Sequence, residues 1–363
     1  MNLLGLVHVD ILTPKQVMFF TPVVRELESL GNKCLVTTRK YREVNQLLEL
    51  KKVEAEVIGR HGGPEFYHKA WESASRTLKL IRWLHRKAPE VSLSFSSPEA
   101  ARASFGLRIP HVCVSDSPHS TAVSLLTIPL SRTLLSPRII PIEAWTRMGI
   151  RKNRIIRYNA LDPVVWLRDG AAPKAVDLGE YEVDQGKPIL TLRPEESYAA
   201  YLQTPKSHSF TPQLASQILK KLANRCTLLI IPRYERQLRA LRSRFGKKAV
   251  VLEKIVDGPG VLRESSIFIG AGGTMTAEAA LLGVPTISCF PSSPTYVDKF
   301  LMDKGLIERF TNPVKAMSRI DEILRDLDGI TRERSEKAHK LLAQMEDPLK
   351  KICSAVESCF AGN

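Results

Sequence analysis

The sequence predicts an α/β protein of two successive units, each a parallel sheet with helices on its faces. Three observations carry that expectation. Short apolar, β-branched runs alternate along the chain with longer helical patterns, as in strand–helix–strand crossovers. At 363 residues the chain is too long for one ordinary domain and suits two of about 150–180 residues. Between residues 159 and 188 the alternation lapses into a stretch rich in Pro, Gly and Asp, which reads as a linker. Two such units form a cleft between the carboxyl ends of their strands, the usual place for a ligand.

In the first half the strand-like runs are LLGLVHV, KCLVTT, AEVIG, VSLSFS, HVCVS and TLLSP. Helical patterns lie between them in QVMFFTPVVRELESLG, YREVNQLLEL, EFYHKAWESASRTLKLIRWLHRK and SPEAARASFG. In the second half PILTL, CTLLIIP, AVVLE, SIFIG and PTISCF alternate with further helices.

The most informative stretch is IFIGAGGTMTAEAALLGVPTISCF, residues 267–290. Ile267–Phe268–Ile269 reads as a buried strand, and Thr274 to Leu282 as a helix stopped by Gly283 and Pro285. Gly270, Gly272, Gly273 and Thr274 would then turn backbone N–H groups and a helix dipole toward a phosphate. Glu278 repels phosphate, but it lies one turn deeper, about 6 Å at 1.5 Å per residue, where it can accept hydrogen bonds from a ribose. The competing reading is that the glycines only let the helix pack tightly on the sheet.

The net charge of +15 concentrates in two places. Residues 220–248 hold ten Lys/Arg against the single acid Glu235, and residues 132–168 hold eight against two. Either this is a solvated, self-repelling surface or it meets an anionic partner: a nucleotide diphosphate, an anionic membrane or nucleic acid. On helix 70–87, Arg76, Lys79, Trp83 and Arg86 form a stripe suited to an anionic bilayer, the alternative being a solvated helix face. No apolar run of ~18 residues is present, so no transmembrane helix is expected. MNLLGLVHVD reads as a first core strand rather than a signal peptide. The six cysteines are scattered without a C-x-x-C pair, which suggests reduced core thiols and a cytoplasmic protein.

Other candidates end predicted strands. Arg193 in LTLRPE and Arg233 in IIPR would point into the cleft, where a guanidinium can grip a diphosphate; otherwise they pair with Glu195 or Glu235. In the first half VHVDILTPKQV offers Asp10, and His8 within the strand reads as packed. In CVSDSPHS, Asp116 and His119 stand close enough to form a general base tuned near neutral pH. The alternative is that Asp116 caps a helix and His119 is incidental.

GAGGTMTAEAALLGVPTIS resembles the nucleotide-sugar signature of GT-B glycosyltransferases and UDP-N-acetylglucosamine 2-epimerases, with Glu278, Gly283 and Pro285 at the matching spacing. The chain as a whole resembles the DUF354 family of archaeal and bacterial proteins through TPKQVMFF, TTRKYREVNQLL, SPEAARASFGLRIP, SDSPH, LRPEESYAAY, IIPRYERQ and VDGPGVL. The resemblance implies a GT-B-like fold of two Rossmann-type parallel-sheet domains facing each other across a cleft. The expected domains are 1–163 on the catalytic side, 164–345 for the nucleotide sugar, and a C-terminal helix in 346–363 packing back on the first. It implies a UDP-sugar donor as substrate, no cofactor and no metal, and a glycan, lipid-linked or small-molecule acceptor. It also places the backbone of Lys254 to Val256 beside a uracil ring. Several GT-B enzymes and most DUF354 members carry a histidine where this chain has Gln16, which cannot take a proton.

Three functions compete: an inverting, metal-independent glycosyltransferase, a nucleotide-sugar 2-epimerase, and a nucleic-acid binder. Epimerases of this group carry a motif like His-Arg-Arg-Glu-Asn where this chain has Arg193-Pro194-Glu195-Glu196-Ser197. Charge alone favours nucleic acid, and no zinc spacing, RNP-like strand or KH loop supports it. The transferase is the leading expectation.

Overall fold

The computed structural model describes residues 5–168, 176–181, 183–184, 186–195 and 210–360. The chain divides into two compact units. One comprises the described residues up to Trp166 and those from Met345 onward; the other runs from Leu167 to Gln344.

The first unit opens with β1 (Leu6–Ile11), α1 (Pro14–Ser29), β2 (Lys33–Lys40), α2 (Arg42–Leu50) and β3 (Glu56–Arg60). It continues with α3 (Phe66–Lys87), β4 (Val91–Phe95), α4 (Pro98–Gly106), β5 (His111–Val114) and α5 (Thr121–Thr127). Then come β6 (Thr133–Pro137), α6 (Ile142–Thr146), β7 (Ile155–Tyr158) and the short α7 (Val164–Leu167), whose last residue begins the second unit. Its seven strands are parallel, in the order β3-β2-β1-β4-β5-β6-β7. Strand β1 lies inside the sheet between β2 and β4, and Val7, Val9 and Ile11 are wholly buried. Helix α1 starts at a Thr13 cap with Pro14 in its first turn, and buries Val17, Phe19, Phe20 and Val23.

The second unit runs β8 (Ile189–Arg193), α8 (Phe210–Lys221), β9 (Thr227–Ile230), α9 (Glu235–Phe245) and β10 (Val250–Val251). It proceeds through α10 (Gly258–Arg263), β11 (Ile267–Gly270), α11 (Thr274–Leu281), β12 (Thr286–Ser288) and α12 (Tyr296–Asp303). Strand β13 (Ile307–Arg309) and helices α13 (Pro313–Arg325) and α14 (Leu327–Ala343) complete it. Its six strands are also parallel, in the order β10-β9-β8-β11-β12-β13. Helix α15 (Pro348–Glu357) belongs to the first unit and packs on α1, burying Ile352, Cys353 and Val356.

In the first unit a buried ion pair lies under the carboxyl end of β1. Asp10 is fully buried, and Arg76 of α3 reaches it with both terminal nitrogens, Nη2 to Oδ1 at 2.5 Å and Nη1 to Oδ2 at 3.0 Å. Thr37 and Ser97 each donate a hydroxyl to it at 2.6 Å, and Arg76 Nε donates to the Ile58 carbonyl at 2.9 Å. Burial alone would raise the Asp10 carboxyl, but Arg76 outweighs it and holds it down at about 2. The expectation that Asp10 is catalytic is corrected here: its oxygens are engaged by Arg76, Thr37 and Ser97, joining β1, β2, α3 and α4. The stripe expected on α3 is corrected too. Arg76 and Trp83 lie on its buried face, Trp83 donating its indole N–H to Glu56 at 2.6 Å, while Lys79 and Arg86 stay outside.

Replacing Arg76 by Met strands a buried carboxylate and should cost about 3–5 kcal/mol at pH 7, as for other broken buried pairs. Asp10 has a depressed folded pKa, so its contribution is full above the ordinary carboxylate range and is lost as pH falls toward 2. The stability gap between wild type and Arg76→Met in urea denaturation should therefore narrow steadily below pH 4.

Candidate functional site

In the second unit the connections leave the sheet in opposite directions on either side of the β8–β11 pair, and the sequence-derived residues gather there. Arg193 ends β8, pairing in register with Gly270 at the end of β11, while Arg233 follows β9. The turn from β11 into α11 needs glycine, because Gly272 and Gly273 have φ of +82° and +92°. Gly273 and Thr274 then present the N-terminus of an eight-residue helix. A Cβ built on Gly273 would stand 3.8 Å from Arg233 Nη2, so the guanidinium lies over this turn. Arg233 Nη2 donates to the Gly272 carbonyl at 3.2 Å and Nε to the Pro194 carbonyl at 2.7 Å. Arg193 Nη1 donates to the carbonyls of Ile231 and Pro232, at 3.1 and 2.5 Å. Glu195 accepts from the Thr211 N–H at the start of α8, and Glu235 lies 3.6 Å from Arg239.

Glu278 is 3% exposed on α11. A Cβ on Gly258 would lie 3.7 Å from Glu278 Oε2, so the start of α10 and this carboxylate meet. Val256, just before α10, is partly buried against the core cluster that contains Leu229, Leu252 and Val261, and Lys254 is exposed. Glu196 and Ser197, the end of the motif compared with the epimerases, lie outside the described residues. The basic run 220–248 is mainly a solvated surface, on which Arg225 pairs with Asp321 and Arg242 with Glu253.

In the first unit Asp116 follows β5, and the structure joins it to a residue that no motif in the sequence singles out. Lys15, in the first turn of α1, donates to Asp116 Oδ2 at 2.5 Å and to Asp162 Oδ2 at 2.7 Å. Its ammonium also sits 4.2 Å from the centre of the Phe95 ring. Ser117 Oγ donates to Asp116 at 2.7 Å, and Tyr158 OH to Asp162 at 2.5 Å. Two carboxylates thus share one ammonium. Burial works against the charge on Lys15, but Asp116 and Asp162 prevail and raise its pKa. Burial and the Asp116 charge push Asp162 up to about 6, although Lys15 opposes them. Asp116 suffers the same burial but is held down at about 2 by Lys15. The side chain of Asp116 is 16% exposed and that of Asp162 1%, so Asp116 is the one within reach of a ligand.

Asp116 does not cap α5, whose cap position is Ser120 without a side-chain bond, and His119 is exposed on the turn before it. His8 is packed as expected, between Ser92 and Thr37, and burial pushes it down to about 4. Gln16 is structural. Its Oε1 accepts from the Leu12 N–H at 2.6 Å, and its Nε2 donates to the Phe95 carbonyl at 3.0 Å, pinning the β1–α1 turn to the end of β4. Just beyond β4, Ser96 holds a left-handed φ of +51°, a strain that marks this strand end. All six cysteines are free thiols, five of them buried. Among the described residues no helix is long and apolar enough to cross a membrane, and no group of three or more His, Cys, Asp or Glu could hold a metal.

Two doubly wound parallel-sheet units with polar groups at their strand carboxyl ends define the class: a two-domain α/β protein of the Rossmann type. The chain matches DUF354, described as a protein of unknown function, over residues 6–360, and belongs to that family. An uncharacterised protein of Methanocaldococcus jannaschii is 27% identical over 323 residues, 85% of this chain and 88% of its own. The fold is shared with enzymes of known structure. MnaA of S. aureus, solved with UDP, superposes with a TM-score of 0.71 at 12% identity, covering 96% of this chain and 94% of that one. A UDP-GlcNAc 2-epimerase of M. jannaschii, in complex with UDP-GlcNAc and UDP, gives 0.66 at 15% identity over 88% and 92%. The glycosyltransferase of kitacinnamycin gives 0.63 at 12% identity over 98% and 99%.

The shared lysine makes a quantitative prediction. Lys15→Met leaves two adjacent carboxylates without their cation and should cost roughly 2–3 kcal/mol at pH 7, less than a fully buried pair because the site is partly wet. Adding Asp162→Asn should recover most of that loss in a urea-denaturation double-mutant cycle.

Proposed function

We propose that the protein is an inverting, metal-independent glycosyltransferase that uses a UDP-sugar donor. The observation that carries this reading is the convergence of Arg193, Arg233 and the Gly272–Gly273–Thr274 turn at the carboxyl ends of β8, β9 and β11. The Arg233 guanidinium over a helix N-terminus, with Arg193 at the adjoining strand end, suits a diphosphate and would stabilise the charge that grows on it as the glycosidic bond breaks. Glu278 lies deeper on the same helix, where the ribose would follow. The fold likeness to proteins solved with UDP and UDP-GlcNAc supports the choice of base.

In the reaction an acceptor hydroxyl attacks the anomeric carbon, the bond to the β-phosphate oxygen breaks, and UDP leaves with the bonding electrons. The group we assign as general base for the hydroxyl proton is the Asp116–Asp162 carboxylate pair. Asp116 has the exposure and Asp162 the higher proton affinity, and with Lys15 between them they titrate as one unit. We assign the onward transfer of the proton to His119, which is exposed on the turn before α5. An epimerase is the second reading, favoured by the likeness to UDP-GlcNAc 2-epimerases. Against it stands Arg193-Pro194-Glu195, which lacks the histidine of the epimerase motif.

UDP should raise the melting temperature through binding to the folded state, and Arg233→Ala should weaken UDP binding on the order of tenfold, one charge-assisted contact. With a panel of UDP-sugars and glycan, polyprenyl-phosphate and small-molecule acceptors, UDP release should depend on acceptor. Asp116→Asn should lower that turnover about a hundredfold or more without changing UDP affinity. Conversion of the sugar with UDP still attached and no acceptor would establish the epimerase instead. A protein whose stability ignores every nucleoside diphosphate has no such site.

A further inference from the structure

Helix α4 packs against both α3 and α5, so the outer sides of these three helices lie together on the first unit. Along α3, Tyr67, Trp71, Leu78 and Arg82 recur at helical spacing and form an outward stripe, opposite the buried stripe of Arg76, Leu80, Trp83 and Leu84. Tyr67, Trp71 and Leu78 are 70%, 60% and 63% exposed, and the two rings stack with centroids 6.3 Å apart. Phe105 on α4 and Leu125 and Leu126 on α5 are exposed as well. Large apolar side chains concentrated on adjacent helices mark an interaction surface rather than an ordinary wet one.

The charge on the same helices has one sign. Lys79, Arg82, Arg86, Lys87 and Arg102 are exposed, whereas the acids of these helices, Glu72 and Glu99, are buried, Glu72 on Arg60 and Glu99 beside Arg76. Such a surface opposes a second copy of itself, because like charge would meet like. A nucleic acid would stack on Tyr67 and Trp71 but leave Leu78, Leu125 and Leu126 wet. Aromatic and aliphatic side chains among cations match the boundary between lipid headgroups and acyl chains.

We infer that the α3–α4–α5 face docks on an anionic lipid bilayer, with Tyr67, Trp71 and Leu78 entering the headgroup layer and the surrounding cations meeting lipid phosphates. This rests on the surface alone and stands whether or not the nucleotide reading holds.

Trp71 is the reporter, since Trp83, Trp145 and Trp166 are buried. Mixed with vesicles of phosphatidylcholine and phosphatidylglycerol at low salt, the full chain should co-sediment and its tryptophan emission should shift to shorter wavelength. Pure phosphatidylcholine should give neither effect, and raising the salt should release the protein. Each of Arg82→Ser and Arg86→Ser should weaken partitioning roughly fivefold. Trp71→Phe should abolish the shift while keeping much of the binding, and Tyr67→Ser/Trp71→Ser should lose most of it with an unchanged circular dichroism spectrum. Absence of binding to anionic vesicles at low salt overturns the inference, as does undiminished binding by the Tyr67→Ser/Trp71→Ser variant. So does a concentration-dependent dimer that hides Trp71, or an emission shift produced by RNA and not by vesicles.

Discussion

In both units the chemistry depends on a constraint of parallel sheets. Neighbouring parallel strands cannot be joined by a tight turn, so every connection crosses one face of the sheet. Where successive connections cross opposite faces, the loops at the strand carboxyl ends part and leave room. The first sheet reaches that point between β1 and β4, and the second between β8 and β11. The residues of chemical interest stand at or next to those points: Lys15, Ser96 and Asp116 in one unit, Arg193, Gly270 and Arg233 in the other.

Each opening is held by a different device. In the first unit the Asp10–Arg76 pair and Gln16 tie the ends of β1, β2 and β4 together from beneath. The Lys15–Asp116–Asp162 group above them can then carry a strained charge balance without loosening the sheet. In the second unit arginine side chains hold loop carbonyls, and Gly272 and Gly273 let the chain turn where a side chain could not follow. An arginine that donates to backbone carbonyls is already oriented, so its positive charge stands over the α11 N-terminus at little entropic cost.

Much of this was legible in the sequence. The strand–helix alternation located most of both sheets, and GAGGTMTAE located the turn, because glycine at positive φ and a helix start leave composition signals. Strands β7 and β13 were not legible: IIRY and IER are short and partly polar, and they become strands only by pairing with β6 and β12. The role of Lys15 was hidden because its partners are 101 and 147 residues away. Asp10 and Arg76 misled for the same reason: a charged residue near a strand end looks functional until its partner is known. One signal could have exposed them. Arg76 and Trp83 sit at seven-residue spacing with Leu80 and Leu84, the buried face of an amphipathic helix.

A nucleoside diphosphate read by the second unit would set its phosphates on the Gly272–Thr274 turn and its ribose on Glu278. The most direct measurement is calorimetric titration of UDP and of 2′,3′-dideoxy-UDP against wild type and Glu278→Ala. Wild type should bind UDP about tenfold or more tightly than the dideoxy analogue, the worth of charge-assisted hydrogen bonds to the missing hydroxyls. Glu278→Ala should bind both alike, at the weaker affinity, while still folding. Full discrimination retained by the folded variant, or equal binding of both nucleotides by wild type, would contradict the account.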